Sequence, residues 1–160
     1  MTPLSFGIKS SVDFYKKLLD DYNDYLMDVN SSRLAVNCAM TGWHLIDWVY
    51  HEFKKDDFKS LSAFKDDIKA KCKEIEILQD ITLGTKHYKL TSRESALKET
   101  KLSLNDNNEI DAFSKELNVS MFNVITKKGE MLYFNDVMLM VIIFWRKYFK
   151  EELKITNIER

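Results

Sequence analysis

The sequence predicts a mainly α-helical protein, a bundle of four or five helices with a small C-terminal β-hairpin before the last helix. The chain of 160 residues contains one proline and four glycines, and this scarcity favours long helices joined by short turns. Apolar residues recur at helical spacing along most of the chain, and alternation at a period of two replaces it only in residues 117–134. We therefore expect a single domain spanning residues 1–160.

The apolar periodicity sets the approximate bounds of the elements. The first four helices are predicted at residues 11–29, 31–53, 59–72 and 73–83. In the first of them Leu26 falls on the predicted buried stripe. Gly84 is a natural terminator for the fourth, because glycine adopts the left-handed conformation that often follows a helix.

The central helix, residues 31–53, is apolar on nearly every side of the cylinder. Such a helix belongs in the middle of a bundle. Ser31 can cap its first turn, because the side-chain oxygen accepts from an orphan N–H group. Asn37, His44 and Asp47 interrupt the apolar run before roughly 20 residues are reached, which argues against a membrane span.

The C-terminal half departs from the helical pattern. Residues 91–113 are polar and weakly patterned, which predicts a long loop with room for one strand near residues 100–104. Residues 117–134 alternate and predict the hairpin, with its turn at residues 127–130. Asn135 is then placed to cap the last helix.

Charge and cysteine content limit the classes of partner. The net charge is −1, so any contact with RNA would come from a local basic patch and not from the whole surface. Cys38 and Cys72 both fall in helical patterns, and we interpret them as reduced core thiols of a cytoplasmic protein. The N-terminus lacks the pattern of a signal peptide. No cofactor-binding motif is recognised, so no cofactor is expected.

Ionisable side chains gather in two places. His44, Asp47 and His51 follow one another at helical spacing on the central helix, and Asp80, Lys86 and His87 lie at the end of the fourth.

Three interpretations of these groups stay open. A histidine beside a cation and a carboxylate can perform acid–base chemistry on a ribose hydroxyl or a leaving group. Alternatively, His44, Asp47 and His51 share a helix face and can ligate a metal, with His87 completing the site. Finally, Asp47 and His44 can form a hydrogen-bonded pair inside the core. A metal site completed by His87 requires His87 to approach the central helix.

The segment from Asp80 to His87, DITLGTKH, within a helical bundle resembles the HEPN superfamily. Its members are small α-helical bundles of toxin–antitoxin and phage-defence systems, and they are often dimeric, metal-independent ribonucleases. In their motif an arginine and a polar residue precede a histidine by a few positions. The resemblance implies that His87 is the acid–base residue and that Asp80 is the polar residue. Gln79 occupies the position of the arginine, so Lys86 would hold the scissile phosphate.

The resemblance also implies RNA as substrate and a second copy of the chain as partner. We assign His44 and Asp47 to supporting positions. A rival hypothesis is a non-catalytic protein-interaction module that binds a partner through the hairpin or through residues 91–113. A third is a metal-binding helical bundle that uses His44, Asp47 and His51 as ligands.

Overall fold

The structure, a computed structural model, describes residues 6–87, 95–103 and 121–158. Over these residues it is mainly α-helical, as the sequence predicts. The five helices are α1 (Ser11–Met27), α2 (Ser32–Val49), α3 (Leu61–Lys71), α4 (Glu74–Lys86) and α5 (Phe134–Lys147). The three strands are β1 (Leu97–Ser103), β2 (Met121–Thr126) and β3 (Met131–Tyr133). π-Helical turns extend α2 over Tyr50–Lys54 and α5 over Tyr148–Glu152.

Short polar side chains begin the first three helices. Ser10 and Asp13 form a reciprocal capping box at the start of α1, and Ser31 accepts from the Leu34 N–H at the start of α2, as predicted. Asn135 does not cap α5, because the helix already begins at Phe134. Its amide oxygen instead accepts a 2.9 Å hydrogen bond from the Tyr22 hydroxyl, which ties α5 to α1.

Two further local predictions are wrong. Gly84 does not end α4, which continues to Lys86 and closes with a hydrogen bond from the His87 N–H to the Leu83 carbonyl. Leu26 does not face the core, since it is 46% exposed, whereas the preceding Tyr25 is 1% exposed. One position on a helix is a rotation of about 100°, so the burial of Tyr25 turns Leu26 towards solvent.

Helix α2 lies at the centre of the bundle, where it contacts α1, α3, α4 and α5. Its residues Cys38, Leu45, Ile46 and Val49 are fully buried. At Gly42 the absence of a side chain permits close approach of α4, because an added Cβ would lie 2.6 Å from Leu78 Cδ1. These contacts confirm the predicted place of the central helix.

The two cysteines are free and buried, as predicted. Burial raises the pKa of the Cys38 thiol to about 12 and that of Cys72 to about 12. Both thiols are therefore protonated at neutral pH and behave as apolar core groups.

The strands form one antiparallel sheet in the order β1-β2-β3. Val124 of β2 pairs with Leu132 of β3, which confirms the predicted hairpin, and Gly129 takes a φ of +84° in its turn. β1 lies inside the segment predicted as a long loop and includes most of the strand expected near residues 100–104. Residues 91–94 and 104–113 of that loop, and residues 117–120, lie outside the described residues.

No helix in the described ranges combines the length and the apolar character needed to cross a bilayer.

Candidate functional site

The first candidate site is the C-terminal end of α4. Lys86 is the last residue of the helix and His87 follows it in extended conformation; both side chains are exposed. The backbone N–H of His87 closes the helix on the Leu83 carbonyl, so this N–H is not available to a ligand. Lys86 forms no ion pair with any residue in the described part of the chain. A helix C-terminus is a favourable position for such a cation.

Asp80, the third residue that the sequence assigned to this site, has a different environment. Its side chain is 4% exposed, and its Oδ2 atom accepts hydrogen bonds from the hydroxyl and the backbone of the segment that begins β1. The donors are Ser95 Oγ at 2.8 Å, the Ala96 N–H at 2.7 Å and the Leu97 N–H at 3.0 Å. Asp80 therefore holds β1 against α4 and is enclosed, whereas Lys86 and His87 are open to solvent.

The second candidate site joins α2 to α3. The Nδ1 atom of His44 lies 3.5 Å from Asp47 Oδ2, and Lys65 Nζ lies 2.7 Å from Asp47 Oδ1. The ammonium of Lys65 also sits 4.9 Å from the centre of the Trp43 ring, a cation–π contact. The prediction of a His44–Asp47 pair inside the core is wrong in its location, because the His44 side chain is 46% exposed.

The electrostatics of Asp47 follow from this arrangement. Partial burial opposes ionisation of the carboxyl, but hydrogen bonds from His44 and Lys65 and the Lys65 charge outweigh it and lower its pKa below the ordinary value. Asp47 is therefore ionised at neutral pH. Both carboxylate oxygens already have a neighbour: Oδ1 is paired with the Lys65 ammonium, and Oδ2 lies near the His44 imidazole.

A shallow groove of about 440 Å³ adjoins Asp47 and is lined by Lys9, Trp48, His51 and Glu52. Glu52 Oε2 accepts a 2.6 Å hydrogen bond from the backbone N–H of Ser11, which fastens the end of α2 to the start of α1. Trp48 stacks on Phe14 with ring centroids 5.1 Å apart. The ring of Trp48 is thus used in packing, and the groove wall is held by contacts between helices.

The two candidate sites lie at opposite ends of the bundle. Leu78 of α4 meets Gly42 of α2, and Ile81, further along α4, shares a small cavity with Ala35 near the start of α2. The two helices are therefore antiparallel. Counted from this contact at 1.5 Å per residue, His87 lies near the level of the start of α2 and roughly 17 Å along the axis from the level of His44. His87 therefore does not converge with His44 and Asp47, as a metal site completed by His87 would need.

Within residues 6–87, 95–103 and 121–158, no three or more His, Cys, Asp or Glu side chains form a group that could hold a metal ion. His51 is exposed on the π-helical turn and does not complete a three-ligand set with His44 and Asp47. The placed side chains therefore do not support the metal-binding interpretation.

Sequence reasoning missed the partners that define both sites. Lys65 belongs to a run of charged residues on α3 that is typical of a solvated helix face, and Ser95 lies in the predicted loop. Only the approach of α3 to α2, and of β1 to α4, reveals their roles. Nothing local to either residue signals these contacts.

We compared the chain with protein-family models, curated proteins and solved structures, and none of the three comparisons finds a match.

Proposed function

We propose that this chain is a HEPN-like, metal-independent endoribonuclease of the kind found in toxin–antitoxin and phage-defence systems. The observation that carries the proposal is the pair Lys86 and His87, adjacent and exposed at the end of a helix in a mainly α-helical bundle. Neither side chain forms an ion pair with a described residue. The imidazole and the ammonium group are both available to an RNA backbone.

The chemistry needs one acid–base group and one cation. His87 takes the proton from a ribose 2′-hydroxyl, and the 2′ oxygen then attacks the adjacent phosphorus. The 5′ oxygen of the next nucleotide leaves and takes a proton from solvent, and a 2′,3′-cyclic phosphate remains. Lys86 binds the phosphate oxygens and stabilises the charge that develops on them. Because RNA supplies its own nucleophile, this route needs no metal-bound water.

Asp80 contributes to this site as a positioning residue. Its hydrogen bonds to Ser95, Ala96 and Leu97 fix β1 to the last two turns of α4. The helix end that carries Lys86 and His87 is thereby attached to the sheet. A site on a rigid element holds its reacting groups more closely than a site on an isolated loop.

Single-turnover cleavage of a labelled RNA by purified protein, with EDTA present, tests the proposal. His87→Ala is expected to reduce the rate by roughly 10²- to 10⁴-fold, the usual contribution of a general acid–base residue. Lys86→Ala is expected to weaken RNA binding and lower the rate. His51→Ala is the matched control, because His51 is also exposed but lies at the other end of the bundle.

Cleavage by His87→Ala at the parent rate would refute the assignment of this residue. Cleavage that EDTA abolishes and magnesium restores would refute metal independence. If His44→Ala loses activity while His87→Ala keeps it, the reacting group lies on the α2–α3 surface instead.

The rival function, a non-catalytic interaction module, is favoured by one observation on the hairpin. Met131 and Leu132 of edge strand β3 are 44% and 36% exposed, directly after a turn that presents Lys127 and Lys128. An apolar edge beside a charged tip is suited to binding a protein. For this function, Lys127→Glu and Met131→Glu abolish binding of the partner, whereas His87→Ala leaves it intact.

A further inference from the structure

The outward face of α5 is apolar where a solvated helix face is normally polar. The exposed positions of the helix form one stripe: Asp136, Leu139, Met140, Ile143, Arg146 and Lys147. In the middle of the stripe, Leu139, Met140 and Ile143 are 43%, 51% and 49% exposed. Three large apolar side chains together at positions i, i+1 and i+4 form a continuous patch and not scattered exposure.

Helix α1 borders the start of α5. Tyr22 of α1 donates to Asn135 at the start of α5, and Tyr25 packs edge-on against Phe134. Leu26 lies four positions after Tyr22, on the same side of α1, and is 46% exposed. Leu26 is therefore a further exposed apolar side chain on the helix that borders α5.

The charges at the two ends of the stripe have opposite signs. Asp136 lies in the first turn of α5, and Arg146 and Lys147 lie in the last. When two copies of α5 pack antiparallel about a twofold axis between Met140 and Ile143, each Met140 faces the other copy's Ile143. The same register places Asp136 opposite the cationic pair of the other copy. The helix macrodipoles are also opposed in this arrangement, which is favourable.

We propose that the protein forms a homodimer through antiparallel packing of α5 against α5 of a second copy. Self-complementarity argues for a second copy over an unrelated partner, because one stripe supplies both the apolar centre and the two opposite charges that an isologous contact needs. Lys147 also approaches Glu151 of its own chain at 3.8 Å, a long and exposed contact, whereas Arg146 forms no ion pair with a described residue. The HEPN-like proposal also implies a second copy as partner, but the assignment of the contact to α5 rests on the stripe alone.

Sedimentation velocity across a concentration series from micromolar to millimolar tests dimerisation. The parent is expected to change from monomer to dimer, and Ile143→Glu is expected to raise the dissociation constant by at least about 30-fold, since it places two like charges at the centre of the contact. Met27→Glu is the control, because Met27 is an exposed apolar residue at the end of α1 that lies outside the stripe. Thermal unfolding of each variant verifies that the fold is retained.

A charge exchange tests the antiparallel register. Asp136→Arg alone brings three cations together at each end of the contact and is expected to weaken the dimer roughly tenfold. Combining Asp136→Arg with Arg146→Asp recreates opposite charges and is expected to recover most of the affinity.

Three results would overturn the proposal. The first is a parent protein that stays monomeric at every concentration, whether or not it binds anionic lipid vesicles through Ile143. The second is a dimer that Ile143→Glu leaves unchanged. The third is a charge-exchange double variant that dimerises no better than Asp136→Arg alone.

Discussion

Replacement of Asp80 separates a structural role from a catalytic one. The carboxylate is buried, and one of its oxygens accepts from two backbone N–H groups, those of Ala96 and Leu97, and from the Ser95 hydroxyl. Asp80→Ala removes this acceptor and leaves the Leu97 N–H, which belongs to a buried residue, without its carboxylate partner. Each orphaned buried donor costs about 1–3 kcal/mol, so we expect the free energy of unfolding to fall by roughly 3–5 kcal/mol.

Two further variants provide reference values for the expected loss of unfolding free energy. Asp80→Asn keeps one side-chain oxygen and loses only the charge assistance of the hydrogen bonds, so its cost is expected to be about 1–2 kcal/mol. Asp66→Ala is the surface control, because Asp66 has a 68% exposed side chain in an ion pair with Lys69. Exposed ion pairs contribute little, and this change is expected to stay within about 0.5 kcal/mol of the parent.

Urea unfolding followed by circular dichroism measures all three variants, and equal m values would show that the compared states are similar. RNA cleavage by Asp80→Asn, measured well below its unfolding transition, is expected to remain within a few-fold of the parent. If Asp80→Ala were as stable as the Asp66 control yet failed to cleave RNA, Asp80 would be a reacting group. The reasoning from its hydrogen bonds would then be refuted.

Two other predictions concern packing and charge. Gly42→Ala is expected to lower the free energy of unfolding by roughly 1–2 kcal/mol, because its Cβ would lie 2.6 Å from the Leu78 methyl; Gly84→Ala, with open space around it, is expected to raise it by up to about 1 kcal/mol. Urea titration of both measures the difference, and equal effects would contradict the close helix contact. Asp47→Asn is expected to cost on the order of 1 kcal/mol at neutral pH, where Asp47 is paired with Lys65. Because the folded pKa of Asp47 is lowered from 3.8, this difference is full above that pH and disappears as pH falls through the lowered value. Unfolding at a series of pH values tests it, and a difference that grows in acid would contradict it.

The sequence predicted those features that depend on neighbours along the chain. Helical periodicity placed α2 at the centre of the bundle, and the Ser31 cap is a contact across three residues. The alternation in Met121–Tyr133 indicated the hairpin in the same way. Each of these features is local, so a window of a few residues contains the necessary information.

The features that sequence reasoning missed depend on distant residues. Asp80 meets donors 16 and 17 residues away, and Asn135 meets Tyr22 113 residues away, so neither role has a local signature. The exposure of His44 was missed for a related reason. A helix that is apolar on most sides does not reveal which of its sides stays exposed. The positions of the helices packed around it decide this.

The choice between the two candidate sites depends on which charges are already neutralised. On the α2–α3 surface, Asp47 is paired with Lys65, and the Lys65 ammonium also lies over the Trp43 ring. A phosphate that approached Lys65 would have to compete with a carboxylate 2.7 Å away. At the end of α4, Lys86 has no such competitor among the described residues, and Asp80 is enclosed beneath the sheet. An incoming phosphate would therefore gain the full attraction of Lys86, which is the physical reason for placing the proposed RNA-binding site at this end of the bundle.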